Sequence, residues 1–215
     1  MSANAFPSSL LLTTAYLPPV SYFALLYAAN DVLIEQHEHY VKQTYRNRCL
    51  IAGPDGPLPL TVPVERGEGK TATCNIRISE HGNWRHLHWN ALVSAYENSP
   101  YFEYYADDFE KFYQGRTFDR LIDFNQALLQ LVCDELSLSP RIALTQSYVT
   151  ETDRLDFRET LRPKSPSPAC FKVQPYWQVF QERTGFQPDL SVVDLLFNLG
   201  PESRILLKKS IDAEI

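Results

Sequence analysis

The sequence has no long run of apolar residues. A membrane-spanning helix needs about 20 consecutive, mainly apolar residues, and no such run occurs among the 215 residues. The N-terminus also lacks the positively charged start and the small-residue cleavage site of a secretory signal peptide. We therefore expect no membrane span and predict a cytoplasmic location.

Cysteine and glycine are scarce, and neither forms a binding motif. The four cysteines, at positions 49, 74, 133 and 170, include no Cys-x-x-Cys pair and no His at zinc-ligand spacing. We expect reduced thiols, with one structural disulfide as the alternative. The eight glycines form no Gly-x-Gly-x-x-Gly or Walker-type loop, and the Gly-x-Ser-x-Gly and His-Glu-x-x-His patterns are also missing. The cofactor therefore stays unknown.

Positive charge is in deficit over the whole chain. Lys and Arg number 20 against 26 Asp and Glu, which gives a formal net charge of −6. A general nucleic-acid-binding protein normally carries a basic excess, so we expect no nucleic-acid partner. The shares of hydrophobic residues, 44%, and charged residues, 21%, are typical of a folded globular protein.

The first 35 residues predict a β-α-β unit. Residues 9–15 are a short apolar run, which is typical of a buried strand. Ser21 is placed to cap a helix over residues 22–30, and residues 32–35 form a second strand. This order favours a parallel pair joined by a right-handed crossover. Ligands of open parallel sheets gather beyond the carboxyl ends of the strands, so we expect the site there.

The rest of the chain predicts a hairpin and then a mainly helical half. Two apolar arms, residues 48–52 and 58–64, flank the turn residues Gly53-Pro-Asp-Gly56. Further along, the patterns predict helices over 84–96, 107–113 and 117–136, a strand over 141–148, a Pro-rich loop over 151–168, and a helix capped by Ser191 with Asp194 in a capping box.

These elements predict the fold class and the domain organisation. We expect an α/β fold with a parallel or mixed central sheet that starts with the β-α-β unit and is flanked by helices. The prediction is one domain over residues 1–215, in which a sheet-rich part, residues 1–80, packs against a mainly helical part, residues 81–215. Its oligomeric state is unknown.

Long hydrogen-bond donors are concentrated between residues 37 and 48. Lys42, Arg46 and Arg48, together with the carboxamides of Gln43 and Asn47, form an array suited to a phosphate, pyrophosphate or carboxylate. In an acidic chain this positive patch would also focus an anionic ligand. The alternative is a solvated basic loop balanced by neighbouring acids. The array predicts a small anionic substrate as the partner.

Three residues are candidates for proton transfer. In an extended segment His37 and His39 face the same side, so their imidazoles could divide acid and base work or share a metal. A metal site needs a third ligand, which the sequence does not place, so no metal is predicted; simple packing of the loop is the other interpretation. Glu97 follows a predicted helix and could be a general base, or it could simply end that helix.

Several motifs together resemble the WbqC-like protein family. They are Tyr16-Leu-Pro-Pro-Val-Ser-Tyr-Phe, Ala29-Asn-Asp-Val-Leu-Ile, Tyr40-Val-Lys-Gln-Thr-Tyr-Arg-Asn-Arg, Leu60-Thr-Val-Pro-Val, residues 84–96 with Ser99-Pro-Tyr-Phe, and residues 186–200. The resemblance covers nearly the whole chain. It implies a place beside bacterial surface-polysaccharide and nucleotide-sugar pathways. It also implies that Tyr16, Tyr22, Tyr40 and Asn198 belong with the substrate-binding residues.

Two functional hypotheses follow. The first is a transferase or ligase for a substrate that carries phosphate or carboxylate, with a nucleotide-sugar as a candidate. The three cations of the loop would hold the anion, its two carboxamides would orient it, and His37, His39 or Glu97 would move protons. The second is a non-catalytic binding or accessory protein of the same pathway. A third, purely structural interpretation pairs every cation of the loop with an acid and leaves no cleft.

Overall fold

A four-stranded parallel sheet lies at the centre of the protein. The structure is a computed structural model and describes residues 9–65, 69–163 and 165–212. In chain order the strands are β1 (Ser9–Thr13), β2 (Asp31–Glu35), β3 (Arg48–Ile51), β4 (Leu58–Thr61), β5 (Arg141–Leu144) and β6 (Leu155–Asp156). The sheet order is β5-β2-β1-β6, all parallel, and β3 and β4 form a separate antiparallel hairpin.

Seven α-helices and three 3-10 turns surround these strands in the described residues. The helices are α1 (Val20–Ala28), α2 (Trp84–Tyr96), α3 (Phe102–Glu110), α4 (Leu121–Glu135), α5 (Gln181–Thr184), α6 (Val192–Leu199) and α7 (Ser203–Lys209). The 3-10 turns are Thr73–Asn75, His81–Asn83 and Gly200–Glu202. None of the helices described here combines the length and apolar character needed to cross a bilayer.

The predicted β-α-β unit is confirmed. Strand β1 pairs in parallel with β2, with Leu10 opposite Val32 and Leu12 opposite Ile34. These four side chains share one face of the sheet and are fully buried, and Leu11 on the opposite face is buried as well, as expected for a parallel sheet that is covered on both faces. The α/β class and the mainly helical second half are also confirmed.

The prediction of Ser21 as the N-cap of α1 is wrong. The helix starts one residue earlier, at Val20, and Pro19 occupies the cap position without a side-chain bond. The carboxylate of Asp189 does the capping: it accepts the Ser21 backbone N–H at 2.7 Å and the Ser21 hydroxyl at 2.8 Å. A carboxylate at a helix start satisfies an orphan N–H and complements the helix dipole. Asp189 thereby ties the C-terminal segment to the first helix.

Several predicted boundaries in the second half shift. The helix predicted over 107–113 starts five residues earlier and ends three residues earlier, as α3 (Phe102–Glu110). Its buried stripe is formed by Phe102, Tyr105 and Phe109. The strand predicted over 141–148 ends at Leu144. The Pro-rich segment contains a strand that the sequence did not predict, β6, which pairs with β1 at the edge of the sheet. Lys164 of that segment, and residues 66–68 of the loop after β4, lie outside the described residues.

Helix α6 begins and ends as the sequence predicts. Ser191 is its N-cap and accepts the backbone N–H of Val193. The helix ends at Gly200, whose φ of 53° is in the left-handed region. A Cβ at this position would lie 2.5 Å from a ring carbon of Tyr101, so glycine is required both by conformation and by space.

Candidate anion-binding site

A groove between the 40–48 loop and the β3–β4 hairpin collects most of the predicted donor array. One cavity of about 210 Å³, here called the anion cavity, is lined by Tyr40, Lys42, Gln43, Asn47, Arg48 and residues 61–64. A second cavity of about 230 Å³ shares Tyr40, Lys42 and Val64 with it and continues to Glu65, Gly69, Thr71 and Ile76. The structure therefore brings five of the nine predicted substrate-binding residues to one concave surface.

Asn47 joins the loop to the hairpin. Its side-chain Nδ2 donates to the Val62 backbone carbonyl at 2.9 Å, and the Asn47 backbone carbonyl accepts the Val62 backbone N–H at 2.8 Å. These bonds extend the pairing of Arg48 with Thr61 by one position beyond the strands. Because the backbone is fixed on both sides of the groove, Asn47 and Arg48 are held at its wall.

Arg46 supports the loop from inside the protein. Its Nε and Nη2 donate to the two carboxylate oxygens of Glu38 at 2.7 and 2.6 Å, and its Nη1 donates to the Thr44 hydroxyl at 3.1 Å. The side chain is 2% exposed, and among the described residues it does not line the anion cavity. Such a forked pair fixes geometry strongly, so it holds the loop in place.

The two other cations of the loop, Lys42 and Arg48, are differently placed. Neither forms an ion pair with an acid among the described residues. Lys42 is exposed at the rim and Arg48 is half-buried. Gln43 is also exposed and has a φ of 60°, which turns the chain between them. Within the described lining, the one acidic residue is Glu65 of the second cavity, which lies 3.7 Å from Arg77. Lys42 and Arg48 therefore give the anion cavity a positive character.

Three polar groups around the anion cavity are buried and lack a hydrogen-bond partner among the described residues. They are the Tyr40 hydroxyl, Asn47 Oδ1 and Arg48 Nε. Buried polar atoms almost always have partners, so each exception calls for an explanation. Burial raises the pKa of Tyr40 to about 12, and its hydroxyl therefore stays protonated at neutral pH. Together the three offer an acceptor, a donor, and a hydroxyl that can be either.

The predicted proton-transfer residues lie elsewhere. The His37 ring is 3.1 Å from the Thr145 carbonyl through Nε2 and 3.9 Å from Cys74 Sγ through Nδ1. His39 is exposed, and Glu97 is exposed at the end of α2. None of the three is among the described residues that line either cavity. No trio of His, Cys, Asp or Glu in the described residues is arranged to hold a metal ion.

Tyr16, which follows β1, and Tyr22, on α1, are fully buried. The Tyr22 hydroxyl donates to the Thr13 carbonyl at 3.0 Å. The Tyr16 hydroxyl lies 2.9 Å from His88 Nδ1 and 2.8 Å from the Tyr113 hydroxyl. These contacts make both tyrosines part of the interior and leave them off the wall of the anion cavity as the described residues form it.

The buried chain of Tyr113, Tyr16 and His88, here called the aromatic relay, was missed by the sequence analysis. The His88 ring also hydrogen-bonds the Thr61 carbonyl, and burial lowers the pKa of His88 to about 4. The ring is therefore neutral, with a proton toward Thr61 and Nδ1 accepting from Tyr16. Thr61 itself lines the anion cavity, so the relay supports that wall from behind. In the sequence, the one feature that could have indicated these contacts is the position of His88 among the apolar residues of the predicted helix over 84–96.

The carboxyl end of β2 is closed by a polar network, here called the sheet-edge network. Glu35 is fully buried; it accepts the Thr145 hydroxyl at 2.9 Å, the His37 N–H at 2.7 Å and the Val149 N–H at 2.8 Å. Arg158 approaches Glu35 at 3.5 Å. Every contact is internal, so this network anchors loops to the sheet.

Comparison with family models identifies the family of this chain. A model described as the WbqC-like protein family matches residues 14–162, which is well over half of the chain. The chain belongs to the WbqC-like protein family. The match includes the anion cavity, the aromatic relay and the sheet-edge network.

The WbqC-like chain also resembles a mycobacterial protein. The uncharacterized protein Rv1507c of Mycobacterium tuberculosis is 26% identical over an alignment of 215 residues, which covers 87% of this chain and 92% of that protein. No solved structure gives a significant match. The comparisons therefore establish the family and leave the activity to be argued from the site.

Asn198 lies outside the family match, on α6. Its Nδ2 donates to the Asp194 carbonyl at 2.7 Å, and its Oδ1 is buried without a partner among the described residues. The Asp194 carboxylate accepts the Tyr176 hydroxyl at 2.6 Å and Gln178 Nε2 at 2.8 Å, and burial raises the pKa of Asp194. These residues form a cluster separate from the anion cavity, and Asp194 does not close the predicted capping box.

Proposed function

We propose that this WbqC-like protein binds a small molecule through a phosphate or carboxylate group in the anion cavity and acts on it as a transferase or ligase. A nucleotide-sugar used in bacterial surface-polysaccharide biosynthesis is a candidate substrate. The observation that carries the proposal is the pair Lys42 and Arg48, two cations that form no ion pair within the described part of the chain and lie beside the buried acceptor of Asn47. Arg binds such anions through its planar fork and Lys as a point charge.

Three residues of the groove have proposed roles in holding the ligand. Arg48 donates to the anion from the cavity wall, Lys42 adds charge at the rim, and Gln43 contacts the exposed part of the ligand. Arg46 positions this segment through Glu38 and does not itself touch the ligand. His37, His39 or Glu97 stays the proposed proton-transfer group, for a substrate whose reacting end extends out of the groove.

A non-catalytic binding or accessory protein is the second candidate. It is favoured by the placement of the three proton-transfer candidates away from both cavities. Within the described lining, the titratable groups other than Lys42 and Arg48 are Tyr40 and Glu65. A tyrosine with a pKa near 12 is protonated at neutral pH and therefore does not serve as a general base there. Binding without turnover would fit this candidate.

A paired experiment tests both candidates. Inorganic phosphate, sugar phosphates and nucleotide-sugars are titrated against the wild type and the double variant Lys42→Gln with Arg48→Gln, and mixtures are assayed for product by mass spectrometry. The matched control replaces two exposed cations off the groove, Lys208→Gln with Arg141→Gln. We expect loss of binding in the first double variant and wild-type binding in the control.

The outcomes separate cleanly. Equal binding by the wild type and the Lys42 and Arg48 variant, in folded protein, overturns the proposed site. Saturable binding without product by any tested ligand selects the accessory protein over the enzyme. Product formation that disappears with the Lys42 and Arg48 double variant selects the transferase or ligase.

A further inference from the structure

Three residues that line the anion cavity carry buried, unpartnered groups of complementary kinds. Arg48 Nε can only donate, and it seeks a negatively charged acceptor. Asn47 Oδ1 can only accept, and its residue is 6% exposed. Its own amide nitrogen is already committed to the Val62 carbonyl, so the carboxamide cannot flip without breaking that bond. Asn47 and Arg48 are adjacent in the chain. A ligand that satisfies both must therefore carry an acceptor for Arg48 and, close to it, a donor for Asn47.

A simple anion does not satisfy both groups. A fully ionised phosphate or carboxylate has acceptor oxygens only, so it would pair with Arg48 and leave Asn47 Oδ1 buried without a donor. Because Asn47 Oδ1 is already unpartnered in the free protein, a ligand that brings a donor gains a hydrogen bond that a simple anion does not make. A ligand hydroxyl close to the anion can donate to Asn47 Oδ1. A second ligand hydroxyl or an ether oxygen can form a hydrogen bond with the Tyr40 hydroxyl.

Charge and size narrow the ligand further. Lys42 and Arg48 supply two positive charges, and neither forms an ion pair among the described residues; Glu65 of the second cavity lies 3.7 Å from Arg77. A phosphate monoester carries about −1.5 to −2 at pH 7, against −1 for a carboxylate. The two cavities, about 210 and 230 Å³, share three lining residues. Each is smaller than the usual ligand pocket of about 300 to 1,000 Å³, so we expect a small ligand.

We propose that the groove is specific for the phosphate ester of a polyol or sugar, in which Arg48 Nε donates to the phosphate and Asn47 Oδ1 accepts a ligand hydroxyl. This inference rests on the proposed function and deepens it, since it names what must lie next to the anion. Tyr40 contacts the same hydroxyl-bearing part. The second cavity holds the remainder of the polyol.

The test compares two ligands that differ only in hydroxyl groups. Glycerol 3-phosphate and propyl phosphate have the same phosphate and the same three-carbon chain. Their dissociation constants are measured by NMR titration for the wild type, Tyr40→Phe, Asn47→Leu and Arg48→Gln. For the wild type we expect about five- to tenfold tighter binding of glycerol 3-phosphate, which corresponds to the net value of one or two hydrogen bonds.

The variants assign that preference to residues. Asn47→Leu is expected to abolish it and to leave the affinity for propyl phosphate unchanged, while Arg48→Gln weakens both ligands alike. Should Asn47→Leu fail to fold, because the Val62 bond is lost, Tyr40→Phe provides the second reading: its hydroxyl has no protein partner among the described residues, so the fold keeps its contacts and the preference falls.

Failure of this inference and failure of the proposed function give different results. Equal affinity of the wild type for the two ligands, with both weakened by Arg48→Gln, refutes the polyol phosphate and leaves the anion site standing. Absence of binding for both ligands, or binding that Arg48→Gln does not alter, overturns the anion site itself. A preference that survives in both Asn47→Leu and Tyr40→Phe shows that other groups read the hydroxyl and also refutes the inference.

Discussion

Arg46 and Arg48 are two positions apart in the sequence, and they belong to two different kinds of polar region. Arg46 faces inward, where both oxygens of Glu38 and the hydroxyl of Thr44 satisfy it. Arg48 lies on a cavity wall, and its buried Nε has no partner among the described residues. The comparison shows that clustered charges in a sequence predict a polar segment. The partners of each charge in the fold then distinguish a residue that stabilises the loop, as Arg46 does, from a candidate for ligand binding, such as Arg48.

The largest expected difference between the two arginines is in stability. Arg46→Ala leaves the Glu38 carboxylate buried without its partner, and we expect the free energy of unfolding to fall by about 3–5 kcal/mol. Arg48→Ala removes no internal ion pair, and we expect a change within about 0.5 kcal/mol. Urea denaturation of both variants measures this. Equal losses for the two would show that the internal and external assignments are wrong.

The next largest expected effect is a loss of folding stability in acid, caused by His88 of the aromatic relay. His88 has a folded pKa of about 4 against an ordinary value of 6.5, so the unfolded chain binds its proton first. The stability that neutral His88 contributes is therefore present above pH 6.5 and is lost as the pH falls toward 4, by about 3 kcal/mol at most.

The variant His88→Gln isolates this contribution from the carboxylates that titrate in the same range. Its unfolding free energy, measured at pH 7 and at pH 4.5, should fall less on acidification than that of the wild type. The same fall in both proteins would place the acid sensitivity elsewhere and contradict the neutral, buried histidine.

The fold was predictable where local pattern determined it. The apolar runs at residues 9–15 and 32–35 and the turn residues of the hairpin were enough to predict β1, β2, β3 and β4. Strand β6 was not predictable because it has two residues in a charged, Pro-rich segment and exists through pairing with β1. The capping of α1 by Asp189 was equally invisible, because the two residues are 168 positions apart.

The candidate site was predictable in composition and unpredictable in pairing. The sequence shows that Lys42, Arg46 and Arg48 are close together, but it does not show that Glu38 pairs with Arg46 alone. The relay partners Tyr16, His88 and Tyr113 are 72 and 97 positions apart along the chain. Contacts over such distances depend on tertiary packing, which residue spacing does not encode.

Salt should separate the two regions by a smaller margin. The cations of the groove are partly exposed, and the Debye length falls from about 10 Å at 0.1 M salt to about 3 Å at 1 M. We therefore expect phosphate binding at Lys42 and Arg48 to weaken about threefold or more between 0.1 and 0.5 M NaCl. The stability difference between the wild type and Arg46→Ala should barely change over this range. Insensitivity of the binding to salt would argue against an electrostatic site.

The smallest expected effect concerns the Tyr40 hydroxyl. It has no hydrogen-bond partner among the described residues, so Tyr40→Phe removes no protein contact. We expect thermal and urea unfolding to change by no more than about 0.5 kcal/mol, with a slight gain in stability because a buried polar atom is lost. A marked loss of stability would show that the hydroxyl is already engaged inside the protein and is not held for a ligand.

The position of a bound phosphate tests the central claim most directly. A crystal structure of the protein soaked in glycerol 3-phosphate should show the phosphate within hydrogen-bond distance of Arg48 Nε, with Lys42 nearby and a ligand hydroxyl at Asn47 Oδ1. A phosphate bound elsewhere on the protein, or an Arg48 whose Nε is already paired with a protein acceptor, would contradict the account.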